Sequence, residues 1–247
     1  MSHALSAELF KLRTTRTSWA VILGAIGLVV LISVIAAATG SFAATDDAGA
    51  DLLEISGLVQ LFALVIGILA VATEFRHGTI TPSLLAVPDR TRLVLAKLIT
   101  ALIAGALLGL AAAALCAVIT LPILSAREAG TGSDSTEIIN LIVGNTAACA
   151  LFAALGVGLG ALIGNQVGAI IGALGYLFVV EPLLGVIPGF SDVVQKWFPG
   201  GASSEVAGTS GLDDPLGQIP AGFVLAAYAA IFLVAGIVMI RRRDVSA

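Results

Sequence analysis

Six stretches of this chain run for about twenty residues with almost no charge, at 19–39, 55–73, 98–124, 138–163, 167–187 and 219–240. The hydrocarbon core of a bilayer is about 30 Å thick, and a helix rising about 1.5 Å per residue crosses it in about 20 apolar residues. Each stretch is therefore long enough to span a membrane. The fourth and fifth are separated only by Gly164, Asn165 and Gln166, which suffices for a tight helical hairpin; without that break they would form one helix of about fifty residues, far beyond what a bilayer needs. The expected fold is an all-α integral membrane protein with six transmembrane helices in a single domain over residues 1–247.

Composition agrees with lipid as the solvent. The chain is 58% hydrophobic and 11% charged, against about 25% charged in soluble domains. The formal charge of −4 argues against nucleic acid as a partner, because a duplex binder needs a basic face. Lys11, Arg13 and Arg16 ahead of an apolar run ending near Ala36–Ala38 raise the question of a signal peptide. A signal core is only about 7–15 residues long; this run is longer and five more follow, so it reads as the first span.

Basic residues set the expected orientation. Ten of the twelve Lys and Arg fall on one side: Lys11, Arg13 and Arg16, then Arg76, Arg90, Arg92 and Lys97, then Arg241, Arg242 and Arg243. Only Arg127 and Lys196 fall on the other, with an acidic company that includes Asp46, Asp47, Asp51, Glu54, Glu128, Asp134 and Glu137. Both termini are expected in the cytoplasm and the acidic loops outside.

The polar segments then divide the chain. Residues 4–17 carry Leu5, Leu9 and Leu12 at helical spacing, with Glu8, Lys11 and Arg16 available for a wet face; this is either an amphipathic helix along the inner interface or an unfixed tail. Gly156, Gly160 and Gly164, continued by Gly168 and Gly172, recur every four residues and allow close helix approach in lipid, either within the bundle or at a dimer seam. Glu181, followed by Pro182, is the one carboxylate inside an apolar stretch. A mid-membrane carboxylate costs about 2.5–3.5 kcal/mol on insertion scales; structural or gating work, lining of a path and proton coupling all remain open for it. Cys116 and Cys149 lie inside apolar runs and read as packing residues. No metal cluster is expected, and the only histidines are His3 and His77. With no G-x-S-x-G or H-E-x-x-H run, no catalytic residue is assigned.

The segment 74–92 is the most informative. Thr81 is placed to cap a short helix whose first residue is Pro82, and Pro88 ends it by driving Val87 from helical angles. Leu84, Leu85 and Val87 then form an apolar patch flanked by Arg76, Arg90 and Arg92, which requires something to cover it. The alternative is that the patch folds back on its own bundle or meets lipid headgroups.

The run Glu74-Phe75-Arg76-His77-Gly78-Thr79-Ile80, followed by Pro82, Leu84-Leu85, Asp89-Arg90, Arg92 and Lys97, resembles the cytoplasmic loop of the type-2 ABC exporter permeases. An amphipathic N-terminal helix, six spans, the late Glu181-Pro182 pair, a Pro-containing segment at 188–218 and an Arg-rich C-terminus fit the same family. The resemblance implies that residues 74–92 hold a coupling helix docking on a separate ATPase subunit, and that the segment 188–218 forms short helices dipping into the outer leaflet. The chain carries no G-x-x-x-x-G-K-[ST] loop, so ATP and Mg would be bound by that partner, in two copies, beside a second permease copy of the same or a related chain. Spans one, two and five would line the path, in the cell membrane. An apolar path favours an amphipathic or hydrophobic cargo such as a drug, antibiotic or lipid-like molecule, and export as the direction comes only from the family. The rival expectations are a gradient-driven secondary transporter and a non-transporting immunity or assembly factor in the membrane.

Overall fold

The structure is a computed structural model that describes residues 2–39, 53–86, 89–126 and 135–242. The expectations resting on Asp46, Asp47, Asp51, Val87, Pro88, Arg127, Glu128, Asp134 and Arg243 lie outside the described residues, as does the side chain of Leu84. Within them the regular elements are all helical: α1 (Ser2–Thr14), α2 (Arg16–Thr39), a 3₁₀ turn (Ile55–Leu58) leading into α3 (Val59–Arg76), α4 (Ile80–Ala86), α5 (Arg90–Ala126) and α6 (Ser135–Ile163). After the hairpin come α7 (Gln166–Gly175), a π-helical turn (Tyr176–Val180) and α8 (Glu181–Gly185), which together form the fifth span, then α9 (Ser191–Trp197), α10 (Pro199–Ala207) and α11 (Gln218–Arg242). Among the described residues, six helices are long and apolar enough to cross a membrane. They match the six charge-poor stretches, with ends that differ by a few residues except on the third.

The third span begins earlier than its charge-free stretch. Helix α5 starts at Arg90 rather than Leu98 and runs 37 residues. Asp89 explains the start: its Oδ1 accepts from the backbone N–H groups of Thr91 and Arg92 at 3.0 and 3.3 Å, the contact that stabilises a helix N-terminus. Nothing between 90 and 121 breaks the helix, so Lys97 lies two turns inside it.

Helix α6 is the centre of the bundle, packed by α3, α5 and α11. Of its span 61% is buried, against 22%, 17% and 22% for α2, the α7–α8 span and α11, which form the periphery. Small residues make this possible. A methyl group built on Gly67 would strike the carbonyl of Ala153, and one on Gly156 would strike that of Leu64, so α3 and α6 touch backbone to backbone. Gln60 Nε2 donates to Asn145 Oδ1 at 3.2 Å, and Asn145 Nδ2 donates to the carbonyls of Ser56 and Gly109, both at 3.4 Å. This buried amide pair ties α3, α5 and α6 where lipid offers no competing partner.

The four-residue glycine repeat is not one continuous seam. Gly156 and Gly160 face α3, Gly164 turns the chain at φ 67°, and Gly172 meets nothing within 4 Å. The turn reverses the chain, so the register cannot carry over from α6 to α7. Asn165 restarts the helix by accepting from Gly168 N at 3.0 Å.

Pro182 does not leave a frayed span. Its missing N–H and ring are accommodated by the π-helical turn immediately before it, the usual way a helix absorbs such a break. Cys116 and Cys149 are buried thiols, and Cys116 Sγ lies 3.2 Å from Ser33 Oγ.

Candidate functional site

The segment between the second and third spans is built by two stops and a short helix. Helix α3 ends at Arg76, and the chain is turned two residues later by Gly78, whose φ of 66° only glycine adopts without strain. Gly78 N donates to Phe75 O at 3.4 Å and Thr79 N to Glu74 O at 2.9 Å, a paired closure of the helix end that reverses the chain. Helix α4 then begins at Ile80, one residue ahead of the expected capping residue Thr81. Pro82 therefore sits third in the helix, not first, where its absent N–H still lacks an intrahelical partner and costs nothing. Thr79 rather than Thr81 takes the position before the helix: its backbone carbonyl accepts the first bond, from Ser83 N at 3.2 Å.

The residues of this segment do not all face the same way. His77, Gly78, Thr79 and Pro82 are exposed, and Leu85 is 78% exposed. Phe75 is half-buried against the core. Arg76 Nη1 donates to Gln166 Oε1 at 3.2 Å, reaching the start of α7. Arg92 pairs with Asp89 at 3.0 Å. Arg90 turns away from α4: its Nη1 donates to the carbonyls of Ile240 and Arg241 at 2.5 and 3.1 Å, and Arg241 donates to Thr91 Oγ1 at 2.6 Å. A guanidinium on the last carbonyls of α11 is a favourable charge at a helix C-terminus. It also binds the start of α5 to the end of the sixth span.

Glu74 points inward, into an ion cluster that joins three helices. Its Oε1 accepts from Lys97 Nζ at 2.6 Å and Lys11 Nζ at 2.7 Å. Glu8 completes the ring, taking Lys11 on Oε1 and Lys97 on Oε2, each at 2.8 Å. Lys97 is 1% exposed and spends its third donor on Ala70 O at 3.0 Å. Charges this deeply buried persist only when paired and hydrogen-bonded. Lys11 sits at the rim. Burial alone would lower its pKa, but the hydrogen bonds it donates to Glu74 and Glu8, with their charges, outweigh that and raise it above the ordinary lysine value, so it is cationic at neutral pH.

The wet face expected on α1 is thus reversed at Glu8, which is 6% exposed, while Leu9 and Phe10 are 38% and 68% exposed. Leu12 still packs against the core, but Leu9 faces out, and Glu8 takes the inward position where a carboxylate gains two ammonium partners. Sequence reasoning placed Glu8 on the wet face and Lys97 with the cytoplasmic loop, and did not bring the two together. The available signal was a lysine placed at the inner edge of a span with Glu74 at the edge of the neighbouring one.

At the other end of the bundle, Glu181 is buried and accepts from Gly200 N through both carboxylate oxygens at 3.0 Å. It holds the N-terminus of α10, where a negative charge is favoured. Helix α10 packs Val206 and Ala207 against Ala148 of α6 and Ala221 of α11, so two short helices do fill the segment 188–218. Phe190 and Phe198 meet edge to face at 6.1 Å. Lys196 pairs with Asp214 at 2.9 Å.

Six spans, a short helix between the second and third, and a basic end tied by ion pairs define a multi-pass helical membrane protein. A family profile described as ABC-2 family transporter protein matches residues 4–180. The chain belongs to the ABC-2 family of transporter membrane proteins, and is accordingly an ABC-type permease; membership implies an ATPase partner. The match runs from α1 through the π-helical turn and stops before Glu181, so the α8–α11 portion lies beyond it. A comparison with curated proteins returned no match.

Proposed function

We propose that this chain is the transmembrane subunit of an ATP-driven exporter, with α4 as the coupling helix that receives the motion of a separate ATPase subunit. The observation that carries the reading is the exposure of Leu85 on α4: a large aliphatic side chain, 78% exposed, on the short helix between the second and third spans. Such a group outside lipid is a docking point for a partner protein. Two ATPase copies and a second permease copy, identical or related, complete the assembly, and ATP with Mg binds only the ATPase. In a cell membrane the basic end, with α1 along the interface and both termini, lies in the cytoplasm, as the distribution of Lys and Arg favours.

The path runs between the permease copies along α2 and the α7–α8 span. Span two, expected beside them, contributes little, because 56% of it is buried within the bundle. The remaining walls present Leu31 and Ile35 from α2 and Ile171 and Phe178 from the fifth span, all exposed. These surfaces suit an amphipathic or hydrophobic cargo such as a drug, antibiotic or lipid-like molecule.

The test is gentle purification of the tagged chain from its native membranes, with mass spectrometry of what remains bound and an ATPase assay of the eluate. The expected result is a co-purifying ATPase lost in Leu85→Asp with the bundle's thermal midpoint unchanged. A stable chain with no ATPase, or an ATPase retained fully by Leu85→Asp, overturns the docking role and returns weight to a gradient-driven carrier or a non-transporting membrane factor.

A further inference from the structure

A cavity of about 510 Å³ opens among the first five helices at the basic end of the bundle. That volume lies in the range of small-molecule sites, about 300–1,000 Å³. Its lining changes with depth. Along α3 it passes from Ile66, Leu69 and Ala70 to Thr73, and then to Thr79 and Ser83 at α4. From Ile66 to Thr73 the helix rises about 10 Å, so an apolar floor reaches into the leaflet while hydroxyls stand nearer the rim. A pocket graded in this sense fits an amphiphile with its headgroup at the rim. The charge it presents has one sign. All four members of the ion cluster border the cavity, but only Lys11 is open: its side chain is 47% exposed, against 1%, 7% and 9% for Lys97, Glu8 and Glu74. Glu8 has both oxygens on lysines; Glu74 has Oε1 on two lysines and Oε2 buried. No carboxylate of the cluster is therefore placed to receive a ligand's cation. Lys11 spends two of its three N–H donors among the described residues, on Glu8 and Glu74, and keeps one. The chain that follows lines the rim with Thr15, Thr17 and Ser18, and between Lys11 and Ser18 it adds Arg13 and Arg16, both exposed, and no acid.

We propose that this cavity binds one anionic phospholipid without a headgroup amine, such as phosphatidylglycerol, taken from the leaflet at the basic end. The phosphate accepts from Lys11 in the field of Arg13 and Arg16, the headgroup hydroxyls meet the Ser and Thr rim, and the upper part of one acyl chain lies on Leu69 and Ile66. Basic pockets between helices at this face of a membrane recognise anionic headgroups in this way. An ethanolamine or choline headgroup brings the same phosphate, but it sets an ammonium among these cations with no open carboxylate to receive it. The bound lipid bridges α1 to α3 and α4. Its binding does not depend on the exporter reading.

The test is native mass spectrometry of the purified full-length protein, with whatever subunits accompany it, after exposure to equimolar phosphatidylglycerol, phosphatidylethanolamine and phosphatidylcholine of identical acyl chains. Phosphatidylglycerol is expected to exceed the other two by about tenfold, the factor that one charge-assisted hydrogen bond supplies. Ala7→Phe fills the cavity from α1 and Ser83→Phe from α4, and neither replaces a member of the ion cluster; both are expected to abolish the preference at unchanged thermal midpoint. Arg242→Gln removes an exposed cation of α11 that does not line the cavity, and is expected to leave the preference intact. Inorganic phosphate in large excess is expected to leave the bound lipid in place. Equal binding of the three lipids, a preference that survives both cavity-filling variants, or one lost as fully in Arg242→Gln, overturns the proposal. Displacement by inorganic phosphate overturns it as well, since the site would then take a soluble anion.

Discussion

Replacing Lys97 by Met is the most informative single perturbation of this fold. Methionine is close to lysine in length and apolar, so the change leaves the packing nearly intact while removing three donated hydrogen bonds, to Glu8 Oε2 at 2.8 Å, Ala70 O at 3.0 Å and Glu74 Oε1 at 2.6 Å. Two carboxylates, at 6% and 7% exposure, are then left facing only Lys11. Removing one partner of a buried pair costs about 3–5 kcal/mol. Lys11 remains in contact with both acids and offsets part of this, so the lower end, about 3 kcal/mol, is expected. By the scaling for chains of this size that is a fall in thermal midpoint of roughly 6–12 °C, measurable by fluorescence-detected unfolding in mild detergent. Adding Glu74→Gln to Lys97→Met removes one stranded charge, and the double variant is expected to regain about 1–2 kcal/mol. In the wild-type background Glu74→Gln alone is expected to destabilise. That reversal of sign is the signature of the cluster. A Lys97→Met chain as stable as the parent, or a double variant less stable than Lys97→Met, would refute the argument that paired burial holds α1 against the bundle.

Three further outcomes follow from the packing and the helix ends. Gly156→Ala is expected to cost about 1–3 kcal/mol by overpacking against α3, whereas Gly172→Ala, with open space around it, is expected to be neutral or stabilising by up to about 1 kcal/mol; thermal unfolding of the two side by side decides this. Glu181→Gln removes the negative charge from the start of α10, and hydrogen exchange at Gly200 is expected to quicken several-fold while α6 amides stay protected. Gly78→Ala places a side chain on a left-handed residue at about 1–2 kcal/mol, and should loosen α4, seen as increased protease or thiol-reagent access to a cysteine placed at Leu85.

Much of this architecture was legible in the residues, and the reasons differ by element. The six spans follow from a solvent rule: a backbone in lipid must bond to itself, so an uncharged run of about twenty residues has few options besides a helix. The break at Gly164–Asn165 was equally plain, because one residue supplies a left-handed turn and the next a cap. The ion cluster was hidden for a physical reason. Leu5, Leu9 and Leu12 mark an apolar stripe on α1, and in water such a stripe faces the core. Beside lipid it need not, and Glu8 takes the inward position because two ammonium groups wait there. Arg90 was read with the docking patch on sequence proximity, yet its partners are the carbonyls of Ile240 and Arg241, 150 and 151 positions later. No local pattern encodes that distance.

The length of α5 carries a mechanical consequence. Its 37 residues make a rod of about 55 Å, longer than the hydrocarbon core, beginning at the Asp89 cap just after α4. Stiff helices rotate more readily than they compress, so a tilt of about 5° about a point midway along the rod moves each end by roughly 2–3 Å. The backbone-close seam with α6 at Gly105 and Gly109, where an added methyl would meet Cys149, is a natural fulcrum. With the fulcrum partway along the rod, the two ends swing in opposite senses, and a push on one face of the membrane arrives as a pull on the other.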